Sequence, residues 1–213
     1  MNYYVAQCFV DFVATNITIN ITIPTQSDPV PVMSVFGWII IHQHLGYSFN
    51  WNLTWADYKA GFGFIDADFW LGLEKVHLLT NSQPYRLRVE VQKRSTNLWY
   101  SAEYWSFKIG DELNTKYRLE VSGYSGDAGD SLQYEGDWND DGGYGDYYHN
   151  GMKFSTSDRD NDMSLHNYNC AVGRAGGWWY NKCFWACLTC DQGYYGWWTL
   201  GYTVSSRMMI KPQ

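Results

Sequence analysis

Three aspartates at alternate positions are the strongest candidates for chemistry in this chain. They lie in the block Asp158-Arg159-Asp160-Asn161-Asp162. In a tight loop or an extended segment, residues i, i+2 and i+4 turn the same way, so several carboxylate oxygens can converge on one cation. Calcium takes about six to eight oxygen ligands, and backbone carbonyls or water can complete such a set. The spacing indicates an oxygen-ligand calcium site, with a solvated acidic turn as the alternative.

The cysteines follow this block closely. Cys170 and Cys183 flank an aromatic run, and Cys187 and Cys190 form a C-x-x-C. The C-x-x-C fits a tight disulfide bond or part of a zinc or redox site. The disulfide is favoured because the chain has no second C-x-x-C and no helical histidine pair to complete a zinc site. Five cysteines are an odd count, which in a secreted chain leaves at least one thiol free or bonded to another chain.

The composition fits one domain with a substantial core, since the chain has 213 residues. It contains 12 Trp, 18 Tyr and 10 Phe but only 17% charged residues, which is typical of an aromatic core and also of sugar-binding surfaces. The net charge is −7 and no basic stripe stands out, so nucleic acid and anionic membranes are poor partners. No stretch approaches the roughly 18 apolar residues of a membrane span.

Motifs of enzyme chemistry are missing from the sequence. It has no G-x-S-x-G, no P-loop and no H-E-x-x-H. His42 and His44 could share one strand face as metal ligands, but ordinary strand histidines are the favoured interpretation. Residues 137–142 imitate the start of an EF-hand loop, yet the twelfth position is Tyr148 and not Glu. A flexible acidic loop is favoured over a second calcium site at 137–146. The sequence predicts a protein that is not an enzyme.

Three N-x-T sequons begin at Asn16, Asn20 and Asn52 and favour an extracellular, secreted protein. Between residues 16 and 23, isoleucines alternate with Asn and Thr, which is the period of a half-buried strand. Asn16 and Asn20 should therefore face water. No basic region precedes the first apolar run, so no cleavable signal is visible, and we expect a fragment of a longer secreted protein or a misassigned start.

Periodicity predicts both strands and helices. Thr54 is a predicted N-cap for a helix that begins at Trp55. A second helix is predicted over 69–79, opened by Asp66 and Asp68. Alternating patterns and β-rich runs predict five strands, at 37–43, 85–93, 98–109, 116–122 and 208–211. The segment after Gly123 is rich in Gly, Asp and Tyr, and such long loops within a compact domain are usually functional.

Four ordered motifs and the acidic block carry a resemblance to a known family. They read WADYKAGFG at 55–63, DFWLGLEKVHLLT at 68–80, GYSGDAGD at 123–130 and HNGMKFST at 149–156. With them the chain resembles the fibrinogen C-terminal domain family, in particular its ficolin- and tachylectin-like members. The resemblance is strong over 38–183 and weaker at both ends. It implies an α+β fold with a central twisted antiparallel sheet, a few short helices and a loop-rich C-terminal region.

The resemblance also implies a single domain over 1–213, with a divergent part at 1–37 and the calcium- and ligand-binding part at 123–213. It implies a disulfide bond between Cys170 and Cys183. In the family, Cys8 would bridge to a cysteine near Ser34, and no cysteine stands there in this chain. Cys8 is therefore the expected unpaired or interchain thiol.

By the same resemblance, one calcium ion is the implied cofactor. Asp160 and Asp162 would supply carboxylates, and backbone carbonyls around Ser164 and His166 would complete the set. Asp158 would support the loop without binding the ion. The ion would be structural, because it neutralises like charges and fixes the loop beside the ligand pocket.

The implied ligand pocket lies beside the second cysteine of that disulfide. Sugar-binding members have a Cys-His pair there, and this chain has Cys183-Phe184. Phe184 keeps an apolar wall but removes a hydrogen-bond donor. Tyr180, Tyr194 and Tyr195 are the predicted walls, whereas Trp178 and Trp179 are at least as well explained as core residues.

The leading hypothesis is a calcium-dependent, lectin-like domain that binds acetylated or other glycans in innate immune recognition. The alternative is a protein-interaction or assembly module of the fibrinogen or angiopoietin type, which the missing histidine and the altered segment 187–190 favour. A degenerate paralogue without sugar binding is the third. The expected partners are glycans or extracellular glycoproteins. A homo-oligomer would form through a missing N-terminal segment or Cys8.

Overall fold

The computed structural model describes residues 16–46, 49–133, 147–165, 168–190 and 195–213. Within these ranges the chain forms eleven strands and four short helices. The strands are β1 Asn16–Ile21, β2 Val30–Val35, β3 Trp38–His44, β4 Phe62–Gly63, β5 Phe69–Trp70, β6 Tyr85–Lys93, β7 Trp99–Ile109, β8 Leu119–Gly126, β9 Ala186–Cys187, β10 Gly196–Trp197 and β11 Gly201–Pro212. The helices are α1 Trp55–Ala60, α2 Leu73–Ser82, α3 Glu112–Thr115 and α4 Cys170–Arg174.

An antiparallel sheet organises the whole domain. Its main path has the order β1-β2-β3-β11-β6-β7-β8, and the short strands β4, β5, β9 and β10 attach to it or to one another. The C-terminal strand β11 lies in the middle, between β3 and β6. The sequence predicted only residues 208–211 of this strand, and the observed strand is longer at both ends. The predicted fold class, α+β with a central antiparallel sheet, is confirmed.

The two faces of β6 follow its alternating sequence. Leu87, Val89 and Val91 are buried in the core. Glu90 points to the other face, where its carboxylate pairs with Arg88 at 2.8 Å and with Arg207 of β11 at 2.5 Å. Because Arg207 lies directly opposite Glu90 on the neighbouring strand, this cross-strand pair supports the register of β6 and β11.

Helix α1 begins where the sequence predicts. The Thr54 side chain accepts a hydrogen bond from the Asp57 backbone N–H, and the Asp57 carboxylate accepts one from the Thr54 backbone N–H at 3.0 Å. This reciprocal capping box satisfies two backbone donors that a helix leaves open at its start. Its inner face buries Trp55 and Tyr58.

The helix predicted at 69–79 corresponds to α2, which begins later, at Leu73, and ends later, at Ser82. The prediction is therefore wrong for the first residues of the segment. Phe69 and Trp70 form strand β5, in which Trp70 pairs with His42 of β3. Asp68 does not open the helix, because its carboxylate accepts a hydrogen bond from the Leu45 backbone N–H at 2.6 Å. The helix begins only after Gly72, whose φ of 109° is a conformation that favours glycine.

Strand β1 departs in part from its predicted alternation. Ile21 and Ile23 are buried as expected, and Asn20 is exposed. Ile17 was expected in the core but is 60% exposed. Asn16 is only half exposed, and its side-chain oxygen is buried. The start of β1 therefore extends past the edge of the core.

Aromatic side chains dominate the core. The largest fully buried residues are Trp70, Trp178, Trp179, Trp197, Tyr58, Tyr104, Tyr117, Tyr180, Tyr195, Phe107 and Phe154. Buried Trp and Tyr need partners for their polar tips, and the Trp179 indole N–H donates to the Tyr117 carbonyl at 2.7 Å. None of the helices in the described ranges has the length and the apolar composition that a membrane span requires.

We expect Thr54→Ala to lower the free energy of unfolding by about 1 kcal/mol, because the helix loses its N-cap acceptor. Denaturant unfolding measures the change. Both Thr54→Ala and Thr54→Ser are made in an Asn52→Gln background, since residue 54 also completes the sequon at Asn52. Thr54→Ser keeps the hydroxyl and should retain nearly full stability. Equal losses in the two variants would show that the cap does not stabilise the helix.

Candidate functional site

The acidic block folds into a turn around Asp162. The Asp162 backbone N–H donates to the Asp160 carboxylate at 3.1 Å. The two oxygens of the Asp162 carboxylate accept hydrogen bonds from the backbone N–H groups of Ser164 and Cys170, each at 2.8 Å. Asp158 points elsewhere, since its carboxylate accepts from the Trp55 backbone N–H at 2.9 Å. It joins this loop to the start of α1, in agreement with a supporting role.

The electrostatics of this turn favour a cation. Partial burial raises the pKa of Asp162 to about 6, the two backbone N–H groups lower it, and the neighbouring Asp160 raises it further. Two carboxylates so close together repel each other when both are ionised, and a bound cation would relieve that repulsion. Asp160 and Asp162 therefore match the hard oxygen donors that calcium prefers.

Other ligands of such an ion would have to be carbonyl oxygens or water. Among the described residues, no group of three or more His, Cys, Asp or Glu is placed to hold a metal. Ser164 is half-buried in the same turn. His166 and the second predicted site at 137–146 lie outside the described residues.

Two disulfide bonds connect this region. Cys170 is bonded to Cys183, and Cys187 is bonded to Cys190, which are the two pairs that we predicted. Cys170 is the first residue of α4, so its bond ties that helix to the segment around Phe184. Cys8 lies outside the described residues.

A cavity of about 460 Å³ opens beside Cys183 and Phe184. The two predicted residues line it together with residues of α4, β10, β11 and the neighbouring loops. The full lining consists of Tyr147, Arg174, Lys182, Cys183, Phe184, Trp185, Gly196, Trp197, Trp198, Gly201 and Tyr202. Trp185 is the centre of its aromatic wall, since its ring lies 4.1 Å from the Trp198 ring and 4.9 Å from the Tyr147 ring.

Tyr180 and Tyr195 do not form walls of this cavity, contrary to prediction. Both are fully buried and absent from its lining. The Tyr180 hydroxyl donates to the Gly176 carbonyl at 2.7 Å, and the Tyr195 hydroxyl donates to Ser206 at 2.6 Å. These bonds hold both rings behind the cavity because a buried hydroxyl must find a partner. Tyr194 lies outside the described residues.

The sequence prediction missed most of the aromatic wall. Tyr147, Trp185, Trp198 and Tyr202 all line the cavity. The only sequence signal for them is their nearness to Cys183 or their place in a segment dense with aromatics. Trp198 and Tyr202 are 50% and 57% exposed, so their rings are accessible to a ligand. Large exposed rings beside a cavity are typical anchors for binding.

His149 supports this wall from within the core. Its Nδ1–H donates to the Trp179 carbonyl at 2.7 Å, while Nε2 accepts from the backbone N–H groups of Ala186 at 2.9 Å and Trp185 at 3.2 Å. These three bonds assign the neutral tautomer with the proton on Nδ1. Complete burial lowers the pKa of His149 to about 4. The imidazole therefore positions the backbone that carries Trp185.

His42 and His44 have a structural role of the same kind. Both side chains approach the Leu188 carbonyl, His42 through Nε2 at 3.1 Å and His44 through Nδ1 at 3.4 Å. Burial lowers the pKa of both, that of His42 to about 3. Their rings pack against Trp51, at 5.2 Å each. The pair thus holds the loop that the Cys187–Cys190 bond closes.

Comparison with known proteins identifies the family. The model of the family described as fibrinogen beta and gamma chains, C-terminal globular domain, matches residues 33–206. The chain belongs to this family, which confirms the predicted resemblance at the level of the fibrinogen C-terminal domain family. Angiopoietin-related protein 1 of Bos taurus is 42% identical over 68% of this chain and 26% of its own length. The human fibrinogen alpha chain is 45% identical over 70% of this chain and 17% of its own length. The chain thus spans a minor part of these relatives.

Solved structures agree with the family. The fibrinogen-like globe domain of human ANGPTL2 gives a TM-score of 0.78 at 32% identity, over 93% of both chains. Lamprey fibrin D-dimer, solved with the peptide ligand Gly-His-Arg-Pro-amide, gives a TM-score of 0.80 at 30% identity, over 93% of this chain and 69% of its own.

We expect acid to destabilise the protein through His149. The unfolded chain takes up a proton on this histidine near the ordinary pKa of 6.5, whereas the folded protein holds it neutral down to about 4. The free energy of unfolding should therefore fall as the pH drops from 6.5 to 4, by on the order of 3 kcal/mol for this group.

Denaturant unfolding at several pH values, followed by near-ultraviolet circular dichroism of the tryptophans, measures this effect. His149→Gln should be less stable at pH 7 but show a shallower decline below pH 6.5. An unchanged slope in that variant would contradict the assignment.

Proposed function

We propose that this chain is an extracellular recognition domain that binds a protein partner through the aromatic cavity beside Cys183 and Phe184. The observation that carries the proposal is the cavity itself, about 460 Å³ in volume and walled mainly by aromatic side chains. Such a cavity can take one or a few side chains of a partner, and aromatic anchors in desolvated pockets supply much of the binding energy at protein interfaces.

The relatives support a protein partner over a sugar. The lamprey fibrin D-dimer was solved with a peptide ligand, and similar chains include angiopoietin-related protein 7 of Homo sapiens, 45% identical over 69% of this chain. Their names are consistent with an extracellular location, as are the sequons at Asn20 and Asn52. The proposed role is binding alone, with no chemical step.

Glycan binding, the leading hypothesis from sequence, has weaker support. Aromatic walls can stack on sugar rings, but Phe184 offers no side-chain donor where sugar-binding relatives are expected to have histidine. The guanidinium of Arg174 lies 5.1 Å from the Phe184 ring centroid. This packing gives the wall an apolar face with a cation above it, and a side chain of a protein partner can use both.

Calcium is proposed as the ion of the acidic turn. Asp160 and Asp162 would hold it. Because Cys170 is hydrogen-bonded to Asp162 and disulfide-bonded to Cys183, an ion that fixes the turn would also restrain the wall of the cavity at Cys183. Support comes from the paired carboxylates and from the raised pKa of Asp162. When bound, the ion neutralises the turn and fixes its backbone. Its role is structural.

Trp198→Ala should weaken binding of a protein partner by about tenfold or more, because a half-exposed anchor ring is lost from the wall. The purified domain is screened in calcium against a panel of extracellular protein domains, against a glycan array and on an acetylated-sugar resin. Trp105→Ala is the matched control, since Trp105 is 59% exposed and does not line the cavity.

A protein ligand that binds the wild type and the control, but not Trp198→Ala, supports the proposal. Ligands found only among the glycans would replace it with the lectin hypothesis. Protein ligands that bind all three forms equally would place the binding surface elsewhere.

We expect calcium to raise the melting temperature of the wild type and a chelator to reverse the change. The increase should be largest above pH 6 and shrink as the pH falls through about 6, because protons then compete with the ion for Asp162. Asp160→Asn and Asp162→Asn should abolish it. Asp66→Asn, which changes an exposed aspartate in the turn before β5, should keep it. A calcium response that survives in Asp160→Asn would argue against this site.

A further inference from the structure

We propose that Asn20 carries an N-linked oligosaccharide that covers the outer edge of β1 and prevents copies of the chain from pairing through that edge. The inference requires passage through the secretory pathway but is independent of any ligand of the cavity. It starts from the position of β1, its composition and the exposure of its sequons.

Strand β1 lies at the end of the main sheet path. Among the described residues its backbone pairs only with β2, in a register that sets Asn16 opposite Val35 and Ile21 opposite Val30. A strand in that position presents unpaired N–H and C=O groups, which can pair with another chain. The Ile17 side chain, on one face of this strand, is 60% exposed.

The sequence of β1 lacks the usual protection of an edge strand. No charged residue occurs from 12 to 27, and the strand itself alternates Asn or Thr with Ile and contains no proline. Uncharged segments with high β-propensity are the ones most prone to add to a neighbouring sheet. Natural edge strands carry Lys, Pro or a bulge against this hazard, and β1 has none of these.

The neighbouring strand β2 shows what such protection looks like. Only Ser34 and Val35 of β2 pair with β3, so residues 30–33 extend past that partner. Pro31 lies in this extension, directly opposite Asn20. Because proline has no N–H, it interrupts the donors on the side of β2 that faces away from β1. The outer side of β1 has no counterpart to Pro31 except the sequon at Asn20.

Asn20 is the better acceptor of the two asparagines in β1. Asn20 and Thr22, the two residues that define its sequon, are both exposed. Asn16 is half-buried and its side-chain oxygen is fully covered. A bulky, hydrated oligosaccharide on Asn20, near the end of β1 that leads to the turn, would exclude a second strand by its volume, without a change in the folded backbone.

Secretion of the chain from a glycosylating cell line, with a substitution pair at Thr22, tests this proposal. Thr22→Ala removes the sequon and leaves Asn20 in place, whereas Thr22→Ser keeps the sequon. Mass spectrometry of the glycopeptide measures occupancy at Asn20, and light scattering after size exclusion measures the molar mass. We expect an occupied Asn20 and a monomer for the wild type and Thr22→Ser, and concentration-dependent dimers or larger species for Thr22→Ala.

Two further arms separate edge pairing from other effects of glycan loss. Asn52→Gln removes the sequon that lies away from the sheet and should stay monomeric. Ile17→Lys, added to Thr22→Ala, should restore the monomer because a lysine on the edge opposes strand addition. Enzymatic removal of glycans from the folded wild type covers the case in which Thr22→Ala does not fold. An unoccupied Asn20, or a monomer after loss of its glycan at the same concentration, would overturn the proposal.

Discussion

The insertion of β11 between β3 and β6 is the constraint on which the rest of the structure depends. The last strand of the chain pairs with residues more than a hundred positions earlier on both sides, so the central sheet is complete only when the whole chain is in place. Its buried residues Met208, Met209 and Ile210 lie at the centre of the core. The same strand begins at Gly201 and Tyr202, which line the cavity. The core and the candidate site therefore share one element.

Hydrogen bonds from buried histidines fix the position of the segment that forms the cavity wall. Loops normally stay on the surface because their backbone groups need partners, yet the segment from Cys183 to Cys190 is largely buried. His149 satisfies the N–H groups of Trp185 and Ala186, and His42 satisfies the carbonyl of Leu188. Neutral imidazoles can do this at lower cost than charged groups, which would have to give up their hydration. The two disulfide bonds hold the same segment covalently.

Much of the fold could be predicted from the sequence because its signals are local. The alternation in β6 and the short polar cap at Thr54 predict their elements, and both are confirmed. At Phe69 and Trp70 the sequence predicts a helix, although their apolar pattern is compatible with either structure. Only their pairing with β3, which is distant in sequence, decides for a strand.

The cavity was less predictable for a related reason. Four of its six rings, those of Tyr147, Phe184, Trp185 and Trp198, lie outside the strands and helices, where no period shows which side chains point inward. Tyr195 and Trp198 are three residues apart, yet the former is fixed in the core by Ser206 and the latter is half-exposed at the cavity. Spacing from Cys183 could identify the neighbourhood of the site. It could not separate the walls from the residues behind them, since that depends on hydrogen bonds across the fold.

Phe184 has a consequence for the kind of ligand that such a cavity can select. A wall that offers donors rejects ligands without acceptors, because its own buried polar groups would be left unpaired. The Phe184 ring has no such group to satisfy, so at this position the wall selects by apolar area and shape. Sugars carry many hydroxyls, and burying them against the Phe184 ring without partners costs free energy. Apolar and aromatic side chains of a protein carry no such cost, and for that reason the replacement of a donor by Phe184 favours a protein partner over a glycan.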